Sequence, residues 1–233
     1  MRKFFVLLAM ATLVLTVSAQ NKSTGVRKSV RTQRSVAGKS TAEKKAAAPS
    51  ITAEEVLAKV LTLVADTTGF KTEATLRSGD KTESFLVSVK NGKVYCDIPA
   101  DKSESWFQKD VIYMHVKDTS KEVQSIFIFK DDGSGYYKYN PFVLLDGDYA
   151  VTMTENNSHY ELTVKDRGET SDAQYFKIIV DMKDFHPIYF VIKNEENVAT
   201  YHFINFLSGI ADKEVTFDKS QFEDAHFVDN RQL

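Results

Sequence analysis

Three closely spaced segments constrain this chain most: 174–182 (QYFKIIVDM), 188–193 (IYFVIK) and 198–206 (VATYHFINF). All are rich in β-branched and aromatic residues, the composition of strands. Asp184 and Pro187 punctuate the first junction, and 194–197 the second. Side chains alternate across a strand, so Ile188, Phe190 and Ile192 point one way and Tyr189 and Val191 the other. In the last segment the same alternation sets Ile204 and Phe206 against Tyr201 and Phe203. An antiparallel sheet with one wet face reads apolar in, polar out. These strands are apolar on both sides, so each face needs a cover.

The 233 residues, 42% hydrophobic and 27% charged, suit one globular domain with extensions. Residues 1–19 read as a secretory signal: Arg2 and Lys3, an apolar run over 4–17, then Val17-Ser18-Ala19 as a small-residue cleavage site. The run falls short of the ~20 apolar residues of a membrane span. No cysteine lies near the cleavage point to take a lipid, so the mature protein is expected to be exported and unanchored. The single Cys96 excludes an internal disulfide; alternating with Val94 and Ile98, it reads as a buried, inert thiol.

Charge is segregated. Residues 20–50 carry eight Lys or Arg against one Glu, and contain no aromatic residue. With the whole chain at −2, residues 51–233 are left at −11. A basic, disordered linker is expected before an acidic domain. It reads as a solvated spacer or as a segment attracted to anionic lipid. Nucleic acid is not an expected partner.

The domain opens with Thr52 and Glu55 at capping-box spacing, then Val56, Val60, Leu63 and Val64 at helical spacing, widened by Leu57 and Leu61. This predicts a helix of about three turns, with Gly69 at its stop or at the turn beyond. Strands follow over 72–77, 81–90, 94–98, 105–108, 110–116 and 122–130, with Asn91-Gly92 as a hairpin turn. The stretch 131–148 holds a short apolar turn after Pro141, compatible with a brief helix. A hairpin over 149–155 and 159–165 precedes the three late segments, and 214–217 offers a last strand. The expected fold is mainly β (α+β): about ten antiparallel strands, folded on themselves as a sandwich or curled around an apolar hollow.

No nucleophile elbow, phosphate loop, HExxH or Cys/His metal pattern is present, so neither an enzyme nor a cofactor or metal is expected. His115 and His202 fall in strands and read as satisfied core or edge positions. Asp131-Asp132-Gly133 lacks the alternating donors of a calcium loop and reads as a turn. Asn156-Asn157-Ser158 matches the N-glycosylation pattern. What remains is an excess of apolar surface.

In layout, 51–231 resembles the LolA family of periplasmic carriers of outer-membrane lipoproteins. The resemblance rests on the opening helix TAEEVLAKV, the 110–116 strand with its following turn at 118–123, Asn140-Pro141-Phe142-Val143-Leu144-Leu145, His186-Pro187-Ile188, and Phe217 followed by Val228-Asp229-Asn230-Arg231. It implies a curved, incomplete antiparallel β-barrel, a half-barrel with a helical lid, whose hollow accepts acyl chains. The domains implied are a signal at 1–19, a basic linker at 20–50 and a lipid-binding domain at 51–233. Val56, Val60, Leu63, Phe142, Leu144 and Leu145 would lie on the lid. Phe85, Val87, Trp106, Phe127, Phe129, Phe190 and Phe203 are the candidate cavity residues, and strand parity leaves open which face inward. The partners implied are acylated lipoproteins or lipid, an inner-membrane donor complex and an outer-membrane acceptor, with the carrier a periplasmic monomer. Three departures stand out. Residues 86–90 lack the arginine with which the family's early strand bonds to the lid, the Pro-Gly before the terminal motif is missing, and the basic linker is extra. A sensor or interaction module of the same shape, and a structural β-domain with a filled interior, are the alternatives.

Overall fold

The computed structural model describes residues 51–117, 124–167, 175–194 and 197–232. The expected signal, the basic linker and the 118–123 turn lie outside them. Thr52 caps the first helix, α1 (Ala53–Leu63), and both capping-box bonds form. The Glu55 amide donates to Thr52 Oγ1 at 3.2 Å, and the Thr52 amide donates to Glu55 Oε2 at 2.8 Å.

Six strands then meander: β1 (Phe70–Ser78), β2 (Lys81–Lys90), β3 (Lys93–Ile98), β4 (Ser103–Gln108), β5 (Val111–Val116) and β6 (Ser125–Lys130). Asn91 and Gly92 turn the β2–β3 hairpin, both at positive φ. A short helix α2 (Ser134–Tyr139) and the 3-10 turn Pro141–Leu145 follow β6. A second meander comprises β7 (Tyr149–Glu155), β8 (His159–Asp166), β9 (Tyr175–Asp181), β10 (Pro187–Lys193) and β11 (Val198–Ser208).

The meanders join where β1 pairs with β11, giving one sheet in the order β12-β6-β5-β4-β3-β2-β1-β11-β10-β9-β8-β7. Its two edges, β12 and β7, do not meet. This is an open half-barrel rather than a sandwich. Residues from β1–β3 and β8–β11 contribute to one buried cluster with α1 and the 3-10 turn, so the sheet curls around them. Phe142 alone touches the rings of Phe70 on β1, Phe190 on β10 and Phe203 on β11.

Four expectations are corrected. The last strand is not 214–217 but β12 (His226–Asp229), and it runs parallel to β6. That pair breaks the expected all-antiparallel order, because a long C-terminal segment leaves room to return in the same direction. The described residues form twelve strands, not ten. Phe206 shares the inner face with Tyr201 and Phe203 instead of opposing them. A bulge facing Thr72 inserts one extra residue into β11, with Asn205 at φ 55°, and shifts the alternation. Phe206 thereby stacks on Phe70 at 5.3 Å while Ile204 is left 44% exposed.

Candidate functional site

Cross-strand pairing fixes the two faces of the β3–β6 half. Val94 and Cys96 belong to the buried inner cluster. Their neighbours continue that face as three rows across the strands. The first is Val94, Phe107, Ile112 and Phe129; the second Cys96, Ser105, Met114 and Phe127; the third Ile98, Ser103, Val116 and Ser125. Directly opposed residues on neighbouring strands share a face, so all twelve side chains line the inside.

Cover on that inside is uneven. α1 packs against β7, the 3-10 turn sits at the centre, and α2 lies over β3. Gly135 lets α2 approach: a Cβ there would lie 2.2 Å from the Phe107 ring. Tyr139 fits between Phe85 and Phe107, with ring centroids 5.0 and 5.5 Å away. Beyond α2 the inner face of β5 and β6 is only half-buried: Ile112, Met114, Phe127 and Phe129 all retain solvent contact. Along this hollow the polarity changes. Aromatic and aliphatic residues fill the row beside α2, and hydroxyls appear in the row at the far end.

The candidate cavity residues therefore separate. Phe127 and Phe129 line the half-open hollow. Phe85, Val87, Phe190 and Phe203 also face inward, but each is at most 5% exposed and packs in the closed core. Trp106 is corrected to the opposite, convex face, because its neighbours Ser105 and Phe107 point inward. There it meets Phe217 and Phe222 at 5.2 and 5.8 Å. Of the lid candidates, Val56, Val60, Phe142, Leu144 and Leu145 are buried against the sheet and Leu63 is partly buried beside them.

The lid is fastened by groups that the sequence did not single out. Lys138 on α2 pairs with Glu83 on β2 at 2.7 Å, and the Tyr201 hydroxyl donates to the Lys138 carbonyl at 3.0 Å. A bond between β2 and α2 thus exists without an arginine on β2: the carboxylate is on the sheet and the cation on the helix. Burial pushes the Tyr139 and Tyr201 hydroxyls far up, so both stay neutral donors. Burial likewise pushes the Cys96 thiol up to about 12, which keeps it protonated and unreactive.

The convex face of the same half has its own cover. After β11 the C-terminal segment crosses it, carrying Val215, Phe217 and Phe222 over Trp106, Tyr113 and His115. Lys71 with Glu214, Lys90 with the Ile210 carbonyl and Gln108 with the Val215 carbonyl tie the segment down. Ile126 below it is fully buried. Tyr113 and Ile128 on this convex face keep partial solvent contact, as Ile112, Met114, Phe127 and Phe129 do on the inner one.

No family model matches the chain, and no curated protein matches it. Solved structures do. The complex of MucA and MucB from Pseudomonas aeruginosa is 12% identical at a TM-score of 0.37, the match covering 71% of this chain and 61% of that one. A LolA superfamily protein from Nitrosomonas europaea is 13% identical at 0.34, over 72% and 99%. The lipoprotein LppX of Mycobacterium tuberculosis is 10% identical at 0.37, over 65% and 92%. These likenesses are distant, and the architecture rests on the strand register itself. The open, helix-capped sheet is the LolA-like layout that the resemblance implies.

Among the described residues no group of three or more His, Cys, Asp or Glu side chains could hold a metal, and no helix is long and apolar enough to cross a membrane. His115 is held by Glu104 and Gln124, and His202 stacks on Tyr189 at 4.4 Å. Both histidines are engaged structurally.

Proposed function

We propose that this protein is an exported, non-enzymatic carrier that shields acyl chains against the inner face of β4–β6. The observation that carries this reading is the half-open apolar hollow of Ile112, Met114, Phe127 and Phe129, continuous with the core yet left uncovered by α1, α2 and the 3-10 turn. An acyl chain laid there gains ~0.8 kcal/mol for each CH₂ withdrawn from water. The cargo is the acylated end of envelope lipoproteins, received from an inner-membrane donor and passed to an outer-membrane acceptor across the periplasm. Release needs the lid to yield at modest cost, and the Lys138–Glu83 pair at the surface is a fastening of that strength.

Native mass spectrometry on protein purified from its own envelope without detergent tests this. Adducts of lipid or lipoprotein mass are expected, together with uptake of a fluorescent fatty acid. A clean apo mass with no uptake would mean a filled interior and end the carrier reading.

A second reading, an envelope sensor or interaction module that binds without transfer, is favoured by Ile204 and Leu207, 44% and 54% exposed outside the sheet. It predicts saturable partner binding with no delivery of labelled lipid to acceptor vesicles.

A further inference from the structure

The sheet has two edges, and they are finished differently. β12 is four residues long and ends in charge, with Asp229 bonded by Arg231. β7 is seven residues long (YAVTMTE) and pairs with β8 without a register shift. It has no Lys, Pro or bulge, the devices that keep an edge strand from pairing.

The ladder fixes which backbone groups of β7 face outward. The Asn156 amide donates to the His159 carbonyl, and the Arg167 amide to the Asp148 carbonyl. Even-numbered residues of β7 therefore turn their backbone groups toward β8. The amides and carbonyls of Tyr149, Val151, Met153 and Glu155 point off the sheet. Among the described residues only the Tyr149 carbonyl is taken, by Arg167 Nε at 3.0 Å. The side chains alternate: Tyr149, Val151 and Met153 pack against the core, while Ala150, Thr152 and Thr154 are exposed on the convex face.

We propose that β7 is a dimerisation edge, pairing antiparallel with β7 of a second copy across a two-fold axis and joining two half-barrels into one sheet. With Thr152 opposite Thr152, Val151 opposes Met153 of the other copy. The outward backbone groups then meet as bonded pairs, and both apolar sets stay on one face. Threonine beside threonine is a favourable cross-strand pair. The same register brings Glu155, the only charge on the strand, to Tyr149 of the other copy. There Arg167 reaches round the strand end, its Nε 3.0 Å from Asp148 and its side chain 58% exposed. A guanidinium has five donors, so it can take Glu155 as well. Asp148 shares that cation, and the added ion pair sets register more than strength.

The other edge is a poorer mate. The His226 amide donates to the Gln124 carbonyl and the Asn230 amide to the Ile128 carbonyl, so β12 turns only Phe227 and Asp229 outward. Pairing β7 with β12 between copies would also propagate head to tail. One strand pair buries less than a standard interface, so the dimer is weak and concentration-dependent. The proposal stands apart from the acyl-binding reading, and neither depends on the other.

Sedimentation velocity of the purified protein, from micromolar to hundreds of micromolar, tests it. A monomer–dimer equilibrium is expected. Thr152→Lys sets two lysines face to face at the axis and is expected to raise the dimer Kd at least about tenfold. Glu155→Arg and Arg167→Glu should each weaken the dimer alone. Mixing the two variants should restore it, because each junction then meets opposite charges. A wild-type urea midpoint at low concentration shows that a variant folds; if Arg167→Glu does not, Thr152→Lys decides. A wild-type protein that stays monomeric overturns the proposal. So does a dimer indifferent to Thr152→Lys, whose contact lies elsewhere, and so does open-ended assembly, the outcome of pairing β7 with β12.

Discussion

The Thr72 hydroxyl lies 2.8 Å from the Ile204 carbonyl and 2.9 Å from the Glu73 carbonyl, at the bulge that turns Phe206 inward. Thr72 is 2% exposed, and its single proton serves backbone acceptors beside the bulge. Thr72→Val keeps the shape and removes the donor. Urea denaturation is expected to show a loss of about 1–3 kcal/mol. An unchanged midpoint would mean that the bulge carbonyls are satisfied without Thr72.

Asn205 occupies the left-handed region at φ 55°, and its amide donates to Glu73 Oε1 at 3.0 Å. Asn205→Gly is expected to be nearly neutral. Asn205→Val, with a branched Cβ at positive φ, should cost about 1–2 kcal/mol. Equal stability of the two variants would refute backbone strain as the reason for asparagine here.

The lid fastening can be measured separately from the core. A double-mutant cycle on Glu83→Gln and Lys138→Met should give a coupling of about 0.5–1 kcal/mol, since both side chains are partly solvated. Hydrogen exchange in both single variants should quicken over 134–145 and stay slow in β2. Faster exchange throughout the sheet would mean that the pair supports the fold rather than the lid.

Trp106 is the sole tryptophan and reports on the C-terminal segment. Phe217 stacks on Tyr113 at 4.2 Å with rings 4° apart and meets Trp106 edge-on. Phe217→Ala should red-shift Trp106 emission and cost about 1 kcal/mol for each aromatic pair lost. Unshifted emission would place the indole's shielding in Tyr95 and Phe222 instead.

Glu104 gives the domain an acid-sensitive point beneath the same segment. Burial pulls its carboxyl upward, but the hydrogen bonds with His115 and Tyr95, with Lys117 nearby, outweigh burial and hold it below the usual carboxylate range. A carboxyl lowered by folding contributes stability above its unfolded value and loses it as pH falls through the lowered one. Wild-type stability should therefore drop from about pH 5 downward. Glu104→Gln should be less stable at pH 7 and flatter across that window. Parallel curves for the two proteins would remove Glu104 from the acid response.

How far the sequence could be read followed from where each signal is stored. Thr52 with Glu55, and Asn91 with Gly92, carry their instructions within three residues, and both elements appear as expected. Alternation along β10 likewise set Phe190 against Tyr189, as the structure has them. Phe206 escaped because a bulge is set by the partner strand's Thr72, more than a hundred positions away in the chain. The face of Trp106 escaped for a related reason: parity is relative, and only its neighbours' pairing with the buried Val94 and Cys96 makes it absolute. α2 has no apolar period, and its position depends on Gly135 meeting Phe107. Glu83 and Lys138 are ordinary surface residues until the fold brings them together.

The seam between the two meanders has a consequence for how the chain acquires its structure. β1 has β2 as its immediate hairpin neighbour, but its other edge waits for β11, whose Thr200 pairs with Arg77. Until residues 198–208 arrive, a nine-residue strand containing Phe70 and Ala74 stands with one edge bare. Closing that ladder requires the whole of the second meander first, so the entropic barrier is concentrated in one late step. A chain stalled before it would present a ready template for intermolecular pairing. Truncation anywhere upstream of β11 should yield aggregates rather than a smaller folded domain.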